Sequence, residues 1–224
     1  MRILHISPNF PWPSNDGGKI VTSNFLNLIK DYDIELDFIC INKSDVNSEL
    51  LQQNNLEADS VFIDFSISSK WRLAKSLVLN KPILIHKFFN RNFLEFIKSK
   101  LSNKTYDLIH FESLHTVYYA FELLELFNGP MVLRLHNIES QILERLAYET
   151  LNPVLKRVFL WESTKINRLE IEAYQRIRNI TFISQDDLIK SGIKDIPQTN
   201  PFVATAGVEF NLFKGILPPT SNNI

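Results

Sequence analysis

Three stretches of the chain carry side chains whose types and spacing suit chemistry, and two of them directly follow a strand-like apolar run. In Leu133-Arg134-Leu135-His136-Asn137-Ile138-Glu139-Ser140, His136 falls just past such a run, at the edge where α/β sheets build their sites. A neutral imidazole there donates or accepts a hydrogen bond to a ligand hydroxyl. Asn137 also suits the N-cap of the helix that follows, a structural role open to the same stretch. The second stretch is His110-Phe111-Glu112-Ser113-Leu114-His115. Its histidines invite comparison with zinc motifs, but those need both rings on one helical face. Here His110 ends a strand and His115 lies beyond a loop, so no metal site is expected. Glu112 reads as a carboxylate facing a binding site.

The third stretch is the loop Pro8-Asn9-Phe10-Pro11-Trp12-Pro13-Ser14-Asn15-Asp16-Gly17-Gly18-Lys19. Two glycines before a helix let the backbone approach a ligand, and the amides of the helix's first turn suit an anion. A plain turn with a helix cap uses the same residues. His5 and His86 sit in apolar runs and read as core or surface histidines. The dinucleotide fingerprint G-x-G-x-x-G, the P-loop and the nucleophile elbow G-x-S-x-G are all missing, which counts against NAD, ATP and hydrolase chemistry.

The elements that must position these residues alternate between strand and helix. Strand-like runs fall at Ile3–Ile6, Ile34–Ile41, Ser60–Phe65, Asp107–Phe111, Met131–Leu135 and Asn179–Ile183, with a further one at Asn200–Ala204. Between them, Val21, Phe25, Leu28 and Ile29 hold helical spacing. So do Val117, Ala120, Phe121 and Leu124, and a long run from Leu155 to Tyr174 that includes Glu162. The pattern predicts an α/β fold, a Rossmann-like three-layer sandwich on a mostly parallel sheet. One domain is expected over residues 1–205, with 206–224 as a passage or linker.

With 24 basic and 25 acidic side chains, the 224-residue chain carries a net charge of −1, which argues against a nucleic-acid partner. The lone cysteine, Cys40, can form no internal disulfide, and a cytoplasmic setting is expected. No apolar run approaches the roughly 20 residues that span a bilayer. Charge is nonetheless uneven. From Lys70 to Lys104 nine basic residues face a single acid, Glu95, with Trp71, Phe88, Phe89, Phe93 and Phe96 interleaved. Such a stretch suits the anionic inner face of a membrane, or equally a solvated face over core aromatics.

Taken in order, these pieces resemble the family 4 glycosyltransferases, the large retaining group with the GT-B fold. The resemblance rests on the Pro-rich loop with Gly17-Gly18, on Tyr106-Asp107-Leu108-Ile109-His110, and on Arg134-Leu135-His136-Asn137-Ile138-Glu139-Ser140. It continues through Ile180-Thr181-Phe182-Ile183-Ser184-Gln185-Asp186-Asp187 to Ala206-Gly207-Val208-Glu209-Phe210-Asn211-Leu212-Phe213. It departs mildly where Ala206 and Glu209 stand for the usual Asn and Asp.

The resemblance implies the N-terminal, acceptor-side domain of a GT-B enzyme. Gly17, Gly18 and Lys19 would face the donor diphosphate, and His136 would contact the transferred sugar. Asn9, Asp16 and Glu112 would line the acceptor pocket. The substrates would be a nucleotide sugar and a glycan or lipid-linked acceptor, with no metal or other cofactor. About ten residues follow Phe213, so the second domain, with its basic pair and Glu-x7-Glu motif, is expected to lie outside this chain. The fragment alone would then be inactive. The alternative is a non-catalytic Rossmann-like module that binds a glycan, a lipid or a partner chain. A weaker third reading is a nucleotide-sugar-modifying enzyme with a bound dinucleotide.

Overall fold

The computed structural model describes residues 1–42, 58–62 and 80–207. Three expectations fall wholly or partly outside them: the end of the third strand, residues 70–79 of the basic stretch, and nearly all of the 206–224 passage.

Three strands read as strict alternations: Leu4 and Ile6 against His5 and Ser7, Ile109 and Phe111 against His110 and Glu112, Leu133 and Leu135 against Arg134 and His136. Successive side chains of a strand point to opposite faces, so one face of the sheet centre is apolar and the other polar. The strands are β1 (Arg2–Ser7), β2 (Glu35–Asn42), β3 (Ala58–Phe62), β4 (Leu108–Glu112), β5 (Met131–Leu135), β6 (Asn179–Phe182) and β7 (Asn200–Val203). They form one sheet in the order β3-β2-β1-β4-β5-β6-β7, and every pairing is parallel. The Rossmann-like expectation therefore holds, with the sheet parallel throughout among the described residues.

The helices are α1 (Gly17–Ile29), α2 (Ile83–His86), α3 (Arg91–Asn103), α4 (Val117–Leu123), α5 (Glu139–Glu149), α6 (Pro153–Arg176) and α7 (Gln185–Lys190). The apolar face of the sheet joins the large core, where Leu4, Phe111, Leu133 and Phe182 cluster with Val117 and Ala120 of α4 and with Ile166, Leu169 and Ala173 of α6. The other face holds a smaller cluster of Phe10, Leu26, Phe38 and Cys40, together with the polar side chains of β1, β4 and β5. Helices α5 and α6 are separate because Asn152 caps the second, accepting from Val154 N at 2.9 Å and Leu155 N at 3.2 Å, with Pro153 in its first turn. Glu162 breaks the apolar stripe of α6 for a reason outside that helix: its Oε2 accepts from Ile83 N, at the start of α2, at 2.8 Å. Its other oxygen pairs with buried Lys165.

The four phenylalanines of the described part of the basic stretch belong to the core. Phe88 and Phe93 are buried, and Phe89 and Phe96 pack against the same cluster. Lys98 pairs with Glu95 at 3.0 Å and Lys104 with Asp37 at 2.9 Å. No helix of the described residues is long and apolar enough to cross a membrane.

The sheet order reverses direction between β1 and β4, since β2 and β3 continue to one side and β5 to β7 to the other. Chain segments leaving β1 and β4 diverge there, which opens a crevice above their C-terminal ends.

Candidate functional site

In that crevice lies a cavity of about 190 Å³, whose lining includes Asn9, Asp16, Gly18, Lys19, Glu112 and His136. Residues drawn from three separated stretches of sequence thus meet at one place. Gly17, the first residue of α1, falls just outside the lining.

The α1 end of the cavity is organised by Asp16, which caps the helix by accepting from Lys19 N at 2.9 Å. Lys19 itself reaches back to Asn15 Oδ1 at 2.9 Å. Gly18 faces His136 across the cavity, and a Cβ on Gly18 would stand 3.6 Å from His136 Nδ1. That is ordinary contact distance, so the glycine keeps the helix start open rather than relieving a clash.

The opposite wall is an ionisable cluster built by strand register. Glu112 pairs with Arg134 across β4 and β5, and His5 with His110 across β1 and β4. Alternation adds His136 to the same face, two residues beyond Arg134. His136 Nε2 meets Glu112 Oε1 in a short contact. Glu112 Oε2 lies 3.5 Å from His5 Nε2 and 3.6 Å from His110 Nδ1, and Arg134 Nη1 lies 3.7 Å from Oε1. Phe25 of α1 roofs the group, with its ring 5.3 Å from that of His5, 4.9 Å from that of His110 and 5.4 Å from the Arg134 guanidinium.

Burial works against every charge in this cluster. It pushes His5 down to about 3 and His110 down to about 4, and the opposing charge of Glu112 does not offset it. Burial would raise Glu112, but its bond to His136 and the surrounding basic groups outweigh that and hold it at about 2. The cluster is therefore an anionic carboxylate matched by Arg134, with two neutral imidazoles beside it.

Glu112 differs from the sequence expectation in its exposure. Its side chain is 1% exposed and lies beneath His136, so it borders the cavity without offering its carboxylate to solvent. His5, read from sequence as an ordinary core or surface histidine, belongs to the cluster. Arg134 and His110 join it as well. The signal that finds them is the polar alternation of the three strands. His115 stays outside the cluster: it lines the same cavity, with its Nδ1 2.8 Å from Ser113 Oγ. His5, His110 and Glu112 place three donor atoms within 4.8 Å of one another, as a metal site would. Arg134 on the other oxygen of Glu112 already supplies a cation, and a charge-matched hydrogen-bond network accounts for the grouping.

The loop after β5 is also held differently from expectation. Asn137 does not cap α5. Glu170 of α6 does, accepting from Ser140 N at 3.3 Å and Ser140 Oγ at 2.5 Å. Burial, reinforced by the charge of Glu139, pushes Glu170 up to about 7 against those bonds. At the end of β4, Ser113 adopts φ 67° and ψ 159°, a region populated essentially by glycine.

No family model and no curated protein matches the chain. Solved structures do. Sucrose-phosphate synthase from Thermosynechococcus elongatus matches with a TM-score of 0.61 and 12% identity, over 97% of this chain and 53% of that one. HepE of Anabaena, in complex with UDP and glucose, matches with a TM-score of 0.54 and 15% identity, over 95% and 46%. UGT2 of Phytolacca americana, complexed with UDP-2fluoro-glucose and pterostilbene, gives 0.53 and 10%, over 93% and 53%. What is shared is fold: this chain has the Rossmann-like architecture of GT-B domains. It spans about half the length of the structures it matches.

Proposed function

We propose that this chain is the acceptor-side domain of a GT-B glycosyltransferase that transfers a sugar from a nucleotide sugar to a glycan or lipid-linked acceptor. The observation that carries the reading is His136, backed by Glu112 and facing the start of α1 across a cavity at the point where the sheet order reverses. A helix N-terminus attracts a diphosphate, so Gly17, Gly18 and Lys19 would face that part of the donor. His136 would hydrogen-bond the transferred sugar. Asn9 and Asp16 would border the acceptor, and Glu112 would act through His136. Family 4 membership and retention of configuration follow the sequence resemblance. No step of this scheme calls for a metal.

Complexes of HepE with UDP and glucose and of UGT2 with a UDP sugar support the same class of donor. A second domain would supply the remaining donor contacts, and leaving-group stabilisation would come mainly from there. Contact with an anionic membrane would rest on the basic side chains rather than on Phe88, Phe89, Phe93 or Phe96, which are committed to the core.

The deciding experiment assays the enzyme carrying this domain against a panel of nucleotide sugars, with and without His136→Ala. Sugar transfer that collapses in the variant supports the proposal. Nucleotide-sugar binding without transfer by any donor would favour the non-catalytic module instead.

A further inference from the structure

Four imidazole nitrogens and two carboxylate oxygens of the buried cluster leave little freedom in where the protons sit. The Nδ1 atoms of His5 and His110 face one another at 3.1 Å. Two lone pairs cannot share that distance, so one of the two rings carries a proton on Nδ1 and the other accepts it.

Two further atoms decide which. His5 Nε2 and Glu112 Oε2 are both buried and neither has a hydrogen-bond partner, yet they lie 3.5 Å apart. Were His5 protonated on Nδ1, its Nε2 lone pair would confront a carboxylate oxygen with both atoms buried, leaving two acceptors unsatisfied. With the proton on Nε2, His5 donates to Glu112 Oε2 and its Nδ1 accepts from His110 Nδ1–H. Every group then has a role. Glu112 Oε1 already meets His136 Nε2, and an anionic carboxylate only accepts, so His136 must donate through Nε2–H. Arg134 at 3.7 Å from that oxygen favours the ionised form.

We propose that His5 and His110 are positioning residues in a directed hydrogen-bond chain, His110 to His5 to Glu112, which His136 joins from the cavity side. The chain fixes His136 as the Nε2–H tautomer and turns its Nδ1 lone pair towards Gly18. The cavity is thereby offered a hydrogen-bond acceptor. Its matching ligand group is a donor, a hydroxyl of a sugar under the glycosyltransferase reading. That last step rests on the reading above, whereas the tautomers do not.

The test is a long-range ¹H–¹⁵N correlation spectrum of the imidazole-labelled chain at pH 7.5, without any substrate. The expected result is one tautomer for each ring: Nε2–H for His5 and His136, Nδ1–H for His110. A proton on His136 Nδ1, or averaged tautomers on any of the three rings, would overturn the proposal. His5→Phe keeps a ring between Phe25 and Phe38 but removes the acceptor for His110, so His110 should lose its single-tautomer signature. An unchanged His110 spectrum in that variant would also refute the chain. Because the readout is spectroscopic, failure here is separable from failure of the transferase assay.

Discussion

The Nδ1 atoms of His5 and His110 meet at 3.1 Å across register partners of β1 and β4, in a place where both rings are held neutral. That arrangement stores an acid sensitivity in the middle of the sheet. Burial puts His5 at about 3 and His110 at about 4 in the folded chain, against roughly 6.5 when unfolded. The unfolded state thus binds more protons between those values, and stability is lost as pH falls through that window. The two rings and Glu112 titrate as a coupled set, so the loss belongs to the cluster rather than to either ring. Glu112, held at about 2 in the fold, must also take up a proton in the unfolded chain below about pH 4.5, through the same interactions. Glu170 titrates with the opposite sign in this window, so urea titrations of Glu170→Gln at pH 8, 6 and 4.5 should show stability level above pH 7 and falling below 6.5. A flat profile down to pH 4.5 would contradict neutral buried rings.

Glu170 has the opposite sign. Its folded value of about 7 means the native state keeps a proton that the unfolded chain has already lost above about pH 4.5. Stability from this group therefore declines as pH rises from 4.5 to 7. Glu170→Gln retains an acceptor for Ser140 N and gains a donor for Ser140 Oγ. It should stabilise the chain by about 2 kcal/mol more at pH 8.5 than at pH 5. Equal effects at the two pH values would remove the buried-acid account.

Glu112 is the charge on which the cluster depends. Glu112→Ala leaves Arg134 buried without its counter-ion, and losing one partner of a buried pair costs about 3–5 kcal/mol. Glu112→Gln keeps the shape and one acceptor, so its loss should be smaller. The pair of variants, compared by denaturant midpoint with unchanged slope, separates loss of charge from loss of volume.

Ser113 sits in backbone geometry that penalises any Cβ. Ser113→Gly and Ser113→Ala both delete the hydroxyl, which accepts from His115 N at 3.2 Å, so the difference between them isolates the strain. Glycine should be the more stable of the two by about 1–3 kcal/mol.

Much of this was legible before the structure. Strand-length apolar runs between helical repeats identify the parallel sheet, and the residues ending those runs, Glu112 and His136, do gather at one cavity with the loop before α1. Exposure was not legible. Whether Glu112 faces solvent or a neighbouring histidine depends on cross-strand register, and register is a relation between distant segments. His5 was missed for the same reason, since in its own segment it is one polar residue in an apolar run. Only beside His110 does it acquire a function. The cap of α5 is a further case: Asn137 has the right residue type, but the acceptor is Glu170, thirty residues beyond Ser140.

His136 separates a structural role from a functional one most cleanly. Its ring is 9% exposed and sits at the rim of the cluster, so truncation leaves the core intact. His136→Ala in the enzyme carrying this domain should lower kcat by roughly 10²–10³-fold, the usual cost of removing one positioned hydrogen bond at a reacting group. The melting temperature should move by only a few degrees. His136→Asn places a carbonyl oxygen near the position of Nδ1, which can accept the same hydrogen bond, and should recover part of the loss. The comparison is informative because Asn is shorter and cannot reach Glu112 as the imidazole does. Partial rescue would assign the contact to the acceptor at Nδ1. Equal loss in both variants would place the function in the Nε2–Glu112 bond, and full activity in His136→Ala would remove His136 from the mechanism.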